Sequence, residues 1–135
     1  MLENQKVNIK IKLAALWTSV LFCYLYGDYF ELYVPEKVND LLTGENILNS
    51  PTKLLIASIV MAIPPIMIAL SIILKPKINR ILNIVFGSIF TLMMVLIAIN
   101  SLTAWYSFYV FLAILESLIT FLIVVYAWKW PKIEE

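Results

Sequence analysis

Glu116 is the residue with the most chemistry to offer, because it stands near the middle of an apolar run from Trp105 to Trp128. At ~1.5 Å of helical rise per residue it lies about 16 Å from Trp105, close to the centre of a hydrocarbon layer about 30 Å thick. The chain has no histidine, and no lysine or arginine stands at that depth in any apolar run. Desolvation without a cationic partner favours the protonated acid. Glu116 is therefore expected to be neutral, to donate a hydrogen bond across the helices, and to release its proton on hydration or cation binding. Thr91 and the Pro64-Pro65 pair share its depth. Neither proline has an N–H for the carbonyls of Val60 and Met61, so a kink is expected, with two carbonyls free to accept a proton, hold water or ligate a cation. Asp28 and Glu31 are one turn apart and share a helical face with Tyr24. Asp28 falls about 8 Å inside the boundary if Tyr33 marks it, so a polar path from these carboxylates to Glu116 is one reading. Two blander ones stay open: a static kink repaired by a neighbouring hydroxyl, and a first helix broken at Gly27 that leaves both carboxylates in water.

The elements that must position these side chains are four apolar segments, residues 13–33, 54–74, 81–100 and 105–128, each close to the ~20 residues that span a bilayer as a helix. Hydrophobic residues make up 62% of the chain, well above the roughly half found in soluble domains, so an integral membrane protein is expected. Lys6, Lys10, Lys12, Lys75, Lys77, Arg80, Lys129 and Lys132 flank the termini and the middle connection, against Lys37 and Lys53 on the other side. The positive-inside rule then places both termini in the cytoplasm and the 34–50 loop outside. An all-α, antiparallel four-helix transmembrane bundle forming a single domain over residues 1–135 follows, in the inner (cytoplasmic) membrane. The first segment is too long for a signal peptide's apolar core and lacks a small-residue cleavage pattern, so it is expected to remain as a span.

Small and polar residues at intervals of three and four suggest which face of each span turns inward. These are Trp17, Leu21, Tyr24, Asp28 and Glu31 in the first, and Ser58, Ala62, Pro65 and Ala69 in the second. The third offers Asn83, Gly87, Thr91, Met94, Ala98 and Ser101, and the fourth Tyr109, Ala113, Glu116, Thr120 and Ala127. Tyr33, Trp105, Tyr106, Tyr126, Trp128 and Trp130 suit interfacial anchors. Ser50-Pro51 suits the start of the second helix, and Pro76 and Pro131 are expected to stop the second and fourth. In the outer loop Val38, Leu41 and Leu42 have helical spacing and Gly44 can cap them, which fits a short surface helix or lid as well as a solvated loop.

The composition also excludes. A single cysteine, Cys23, rules out an internal disulfide, and a net charge of +1 gives no basic signature for nucleic acid. No nucleophile elbow, phosphate loop or metal-ligand cluster is present, so no catalytic residue and no cofactor is assigned and an enzyme is the least favoured class.

Residues 24–28 (Tyr-Leu-Tyr-Gly-Asp), 63–71 (Ile-Pro-Pro-Ile-Met-Ile-Ala-Leu-Ser), 79–84 (Asn-Arg-Ile-Leu-Asn-Ile), and Glu116 with 127–130 (Ala-Trp-Lys-Trp) together resemble an uncharacterised bacterial family of small four-span membrane proteins, a domain of unknown function. Size and span number are more distantly similar to DoxX-like four-helix membrane proteins. Small multidrug transporters also have four spans and a membrane glutamate, but theirs lies in the first helix. The resemblance implies a fold and a lipid setting, and no reaction. The function expected first is a structural or accessory protein binding a membrane partner or a second copy of itself, and the alternative is a small proton-coupled transporter or channel built on Glu116.

Overall fold

The structure, a computed structural model, describes residues 1–132. The described residues are all-α, with five helices and no strand: α1 (Ile9–Glu31), α2 (Lys37–Thr43), α3 (Pro51–Ile73), α4 (Pro76–Asn100) and α5 (Ser107–Trp128), the last preceded by a 3₁₀ turn at Ala104–Tyr106. Four stretches are long and apolar enough to cross a membrane: α1, α3, α4, and α5 together with its 3₁₀ turn. Local chemistry sets their starts. Asn8 Oδ1 accepts from Lys10 N at 2.8 Å, and Ser50 Oγ accepts from Lys53 N at 3.2 Å ahead of Pro51. These bonds satisfy N–H groups that a helix start leaves without partners. Pro76 opens α4 rather than merely ending α3, so the third span begins five residues before the expected Ile81 and draws Asn79 and Arg80 into its first turns. α1 also continues through Gly27 to Glu31, which removes the reading that Gly27 breaks it.

α5 packs against both α4 and α1, and α1 packs in turn against α3. α3 and α4, though consecutive in the chain, touch far less than those three pairs. Buried between the helices are Leu13, Trp17, Val20, Tyr24, Met67, Phe90, Met94 and Ile123. Phe90 meets Trp17 edge-on with ring centres 6.0 Å apart and Tyr24 in a tilted contact at 5.9 Å. Gly87 allows α4 to approach α5 closely, since a Cβ there would stand 2.8 Å from Val124 Cγ2 and 3.3 Å from Ile123 Cγ2.

A hydrogen-bonded cluster ties three helices together where Leu74 and Lys75 link α3 to α4. Trp17 Nε1 donates to Asn83 Oδ1 at 2.8 Å, and Ser71 Oγ donates to the same oxygen at 3.4 Å. Asn83 Nδ2 donates to Asn79 Oδ1 at 2.7 Å and to Asn79 O at 2.9 Å, while Asn79 Nδ2 donates to Ser71 O at 2.7 Å. All four residues are fully buried, so each bond replaces a water that is not there. Beside the cluster, the Arg80 guanidinium donates to the carbonyls of Ala127 and Trp128, both at 3.1 Å, and closes the last turn of α5.

The inward faces partly differ from those expected. α3 buries Pro64, Met67 and Ser71, while Ser58, Pro65 and Ala69 are exposed. The physical reason is local satisfaction: Ser58 Oγ donates to Leu54 O of its own helix at 2.8 Å and needs no neighbouring helix. On α1, Asp28 is exposed and Leu21 and Glu31 are only half-buried, while Leu13, Ala14 and Val20 are buried with Trp17.

Asn83→Leu strands the Trp17 indole N–H and the Asn79 amide oxygen, so it should lower stability by about 1 to 3 kcal/mol, more than the ~0.6 kcal/mol average of one interhelical hydrogen bond in a membrane. Trp17→Phe, which removes one bond, should cost less than that. Reversible unfolding in bicelles would rank the two. Gly87→Leu should cost about 1 to 3 kcal/mol in the same assay, because the side chain must displace the branched Val124 and Ile123.

Candidate functional site

Where α3 and α4 stand apart, their walls and those of α1 and α5 enclose a cavity of about 330 Å³. α1 contributes Tyr24, Gly27 and Asp28, and α5 contributes Tyr109 and Glu116. The remaining wall is apolar, from Ala57, Val60 and Met61 of α3, Met93, Met94 and Ile97 of α4, and Leu48 of the connecting loop. The α1 group follows from helical periodicity, since residues 24, 27 and 28 share one face, and so do residues 109 and 116, two turns apart on α5. Gly27 sits at ordinary contact distance from α5, where an added Cβ would lie 3.6 Å from Leu112 and 3.7 Å from Tyr109.

Glu116 is 5% exposed, and among the described residues its carboxylate takes part in no hydrogen bond and no ion pair. The cross-helix hydrogen bond expected of it is not formed; the carboxylate faces the cavity instead. Tyr24, 6% exposed, lines the same space, and its hydroxyl is buried without a partner. The Tyr24 hydroxyl is an exception to the rule that buried polar groups are paired, and the unpaired Glu116 carboxylate shares its cavity wall. Asp28, on the same wall, is exposed at the side nearer the loops. The cavity wall thus holds two carboxylates and two phenols and no basic side chain.

A second cavity of about 650 Å³ adjoins the first, sharing Met93, Ile97 and Tyr109 with it. Glu31 stands here, already engaged: Lys37 Nζ of α2 lies 2.9 Å from its Oε1, and Tyr106 Oη donates to the same oxygen at 3.2 Å. The hydrogen bond to Glu31 holds the Lys37 ammonium above its usual pKa range. Glu31 is therefore a clasp joining α1, α2 and the 3₁₀ turn rather than a free carboxylate beside Asp28.

Of the residues singled out from sequence, Glu116, Tyr24 and Asp28 come together on one cavity wall, and Glu31 lines the adjoining space. Val60 and Met61, whose carbonyls lack helical donors because of Pro64 and Pro65, line the cavity, but Pro64 is buried in the core and Pro65 is exposed. α3 runs unbroken through both prolines. Thr91 belongs elsewhere. Its Oγ1 lies 2.7 Å from Gly87 O and 2.7 Å from Thr120 Oγ1, at the α4–α5 contact, and it lines a separate apolar groove of about 560 Å³. Sequence reasoning placed Tyr109 only among packing residues and passed over Met93 and Ile97; the spacing of 109 and 116 on one face was the available signal. Lys37 gave none, because its partner is set by how α2 folds back.

A family model, described as a family of unknown function (DUF6326), matches residues 2–134. No curated protein and no solved structure matches the chain. With nearly its whole length covered by that match, the chain belongs to this family of unknown function.

Proposed function

We propose that this chain is a small multi-pass protein of the cytoplasmic membrane that binds a small solute in the Glu116 cavity and couples binding to the proton on Glu116, as the binding step of proton-coupled transport. The observation that carries this reading is Glu116, a buried residue in an apolar span that lines the cavity and whose carboxylate has no partner among the described residues. An intramembrane carboxylate is costly and is ordinarily paired or functional. The structural or accessory alternative drew its support from polar residues that satisfy one another. Asn79, Asn83, Ser71 and Trp17 fit that description, whereas Glu116 and Tyr24 do not.

In this reading the four spans form an antiparallel bundle with both termini in the cytoplasm. The start of α1 lies beside the end of α5, where Lys12 stacks over Tyr126 at 5.4 Å, and Phe30 near the other end of α1 meets Phe108 at 6.5 Å. The basic residues gather at the first of these ends, which suits the cytoplasmic side. The cavity then opens outward past Asp28, and the Trp17, Phe90 and Met67 core closes it from the cytoplasm. A transport cycle requires that core to open in turn.

Glu116→Leu separates the two functions. If Glu116 serves packing, the variant should lose about 0.6 to 2 kcal/mol of stability, the range for hydrogen bonds between membrane helices. A site residue without partners predicts unchanged or higher stability, because the substitution breaks no hydrogen bond and removes an unpaired carboxyl group. Unfolding in bicelles reads the difference. Glu116→Gln should stay folded while proton-driven solute flux in liposomes falls to background; flux equal to wild type would remove Glu116 from the mechanism.

The orientation has its own test. A tag inserted beside Gly44 should be accessible to an impermeant label on intact cells, and tags at Met1 or at the carboxyl end should not be. Labelling of either terminus would reverse the direction in which the cavity opens.

A further inference from the structure

The substrate class can be read from the cavity wall, an inference that rests on the proposed binding role. We propose that the cavity takes a small monovalent organic cation, an ammonium bearing an apolar substituent, with the charged nitrogen beside Glu116 and its carbon groups against Tyr24, Tyr109 and the methionines.

Charge decides the sign. Glu116 and Asp28 line the cavity, and no lysine, arginine or histidine does. An anion would meet two carboxylates in a low-dielectric wall, whereas a cation supplies the partner that Glu116 lacks. Bare inorganic cations fit less well. A hard divalent ion seeks about six oxygen ligands, and among the described residues no three His, Cys, Asp or Glu side chains converge. The rest of the wall suits carbon: two tyrosine rings can face an ammonium through their π clouds, and Met61, Met93 and Met94 are soft side chains that adapt to apolar shapes. The unpartnered Tyr24 hydroxyl is a second group awaiting a ligand, positioned to accept from an N–H or to align a water beside it. At about 330 Å³ the space admits a ligand near the small end of those that protein pockets hold.

Binding is an exchange. A cation arriving at Glu116 meets the carboxylate ionised or displaces its proton to solvent, so affinity must rise with pH wherever Glu116 still carries a proton in the free protein.

The test uses the full chain in phosphatidylcholine nanodiscs, with empty discs as the reference, and equilibrium dialysis of three labelled probes: benzyltrimethylammonium, 2-phenylethanol and phenylacetate. The quaternary probe cannot titrate, so any pH dependence belongs to the protein. The expected result is saturable binding of one benzyltrimethylammonium per chain, strengthening by up to tenfold per pH unit while Glu116 titrates, with at least tenfold weaker binding of the other two. Glu116→Gln should lose at least tenfold in affinity and the larger part of the pH dependence, Asp28 being the other carboxylate on the wall, while keeping the wild-type elution volume and melting profile. Tyr109→Leu, away from the titrating group, should weaken binding severalfold and keep the pH dependence. Saturable binding of 2-phenylethanol or phenylacetate that equals or exceeds the cation's, and that Glu116→Gln alters, would overturn the organic cation and leave the cavity as a solute site. Cation binding unchanged in Glu116→Gln, or no saturable binding of any probe, would overturn the assignment outright.

Discussion

Asn83 sits at the point where three helices are joined, and the rest of the architecture depends on the hydrogen bonds it makes. Its amide accepts from Trp17 of α1 and Ser71 of α3 and donates to Asn79 one turn earlier on its own helix. In lipid the hydrophobic effect gives helices no reason to associate, so association relies on close packing and on polar groups that have no water as an alternative. An amide with both of its ends bonded fixes rotation as well as position. Since the bonds lie beside the short link between α3 and α4, those helices are held at one end only.

That one-sided restraint leaves room for the cavity. α5 fills the opposite side of the assembly, drawn close to α4 at Gly87 and closed at its last turn by Arg80. Below Tyr24 the interior is filled by Phe90, Met67 and Trp17, each with essentially no exposure. Above it the space between α3 and α4 is lined by methionines, tyrosines and two carboxylates. The same chain thus carries a polar cluster on α1, α3 and α4 whose members are all paired and, farther along α1 and on α5, polar groups with no partner. The first kind is what structure requires; the second stays costly unless something else is bound, which is why the proposed function rests on Glu116 and Tyr24 rather than on the more numerous asparagines and serines.

The clasp at Glu31 belongs to the rim of this space. It links α1 to the short α2 and to the 3₁₀ turn before α5, through one carboxylate oxygen shared by Lys37 and Tyr106. α2 is preceded by Glu36 in the left-handed region, at a φ of 68°, and ends at Gly44, at 79°. Glycine adopts that conformation freely and glutamate does so at a cost, so the turn at Glu36 is held by the contacts around it, among them the ion pair of its neighbour Lys37.

Much of this was legible in the chain itself. The four apolar stretches could be read because a span is a contiguous property, length and hydropathy along one segment, and the Ser50-Pro51 start could be read because a cap is an interaction between near neighbours. Glu116 could be singled out because a carboxylate in an apolar run is anomalous without knowledge of any other helix. What surrounds it could not. Which face of α3 turns inward depended on α1 and on the distance of α4, so the small-residue pattern of Ser58, Pro65 and Ala69 misled where a serine could bond to its own helix. Thr91 shares the depth of Glu116 yet faces Thr120, because depth along an axis says nothing of rotation about it. Glu31 looked like a free acid until α2 brought Lys37 to it. Elements are set by neighbours in sequence, whereas a partner or an empty space is set by helices tens of residues apart, and only their packing decides which polar groups are satisfied and which are left facing a cavity.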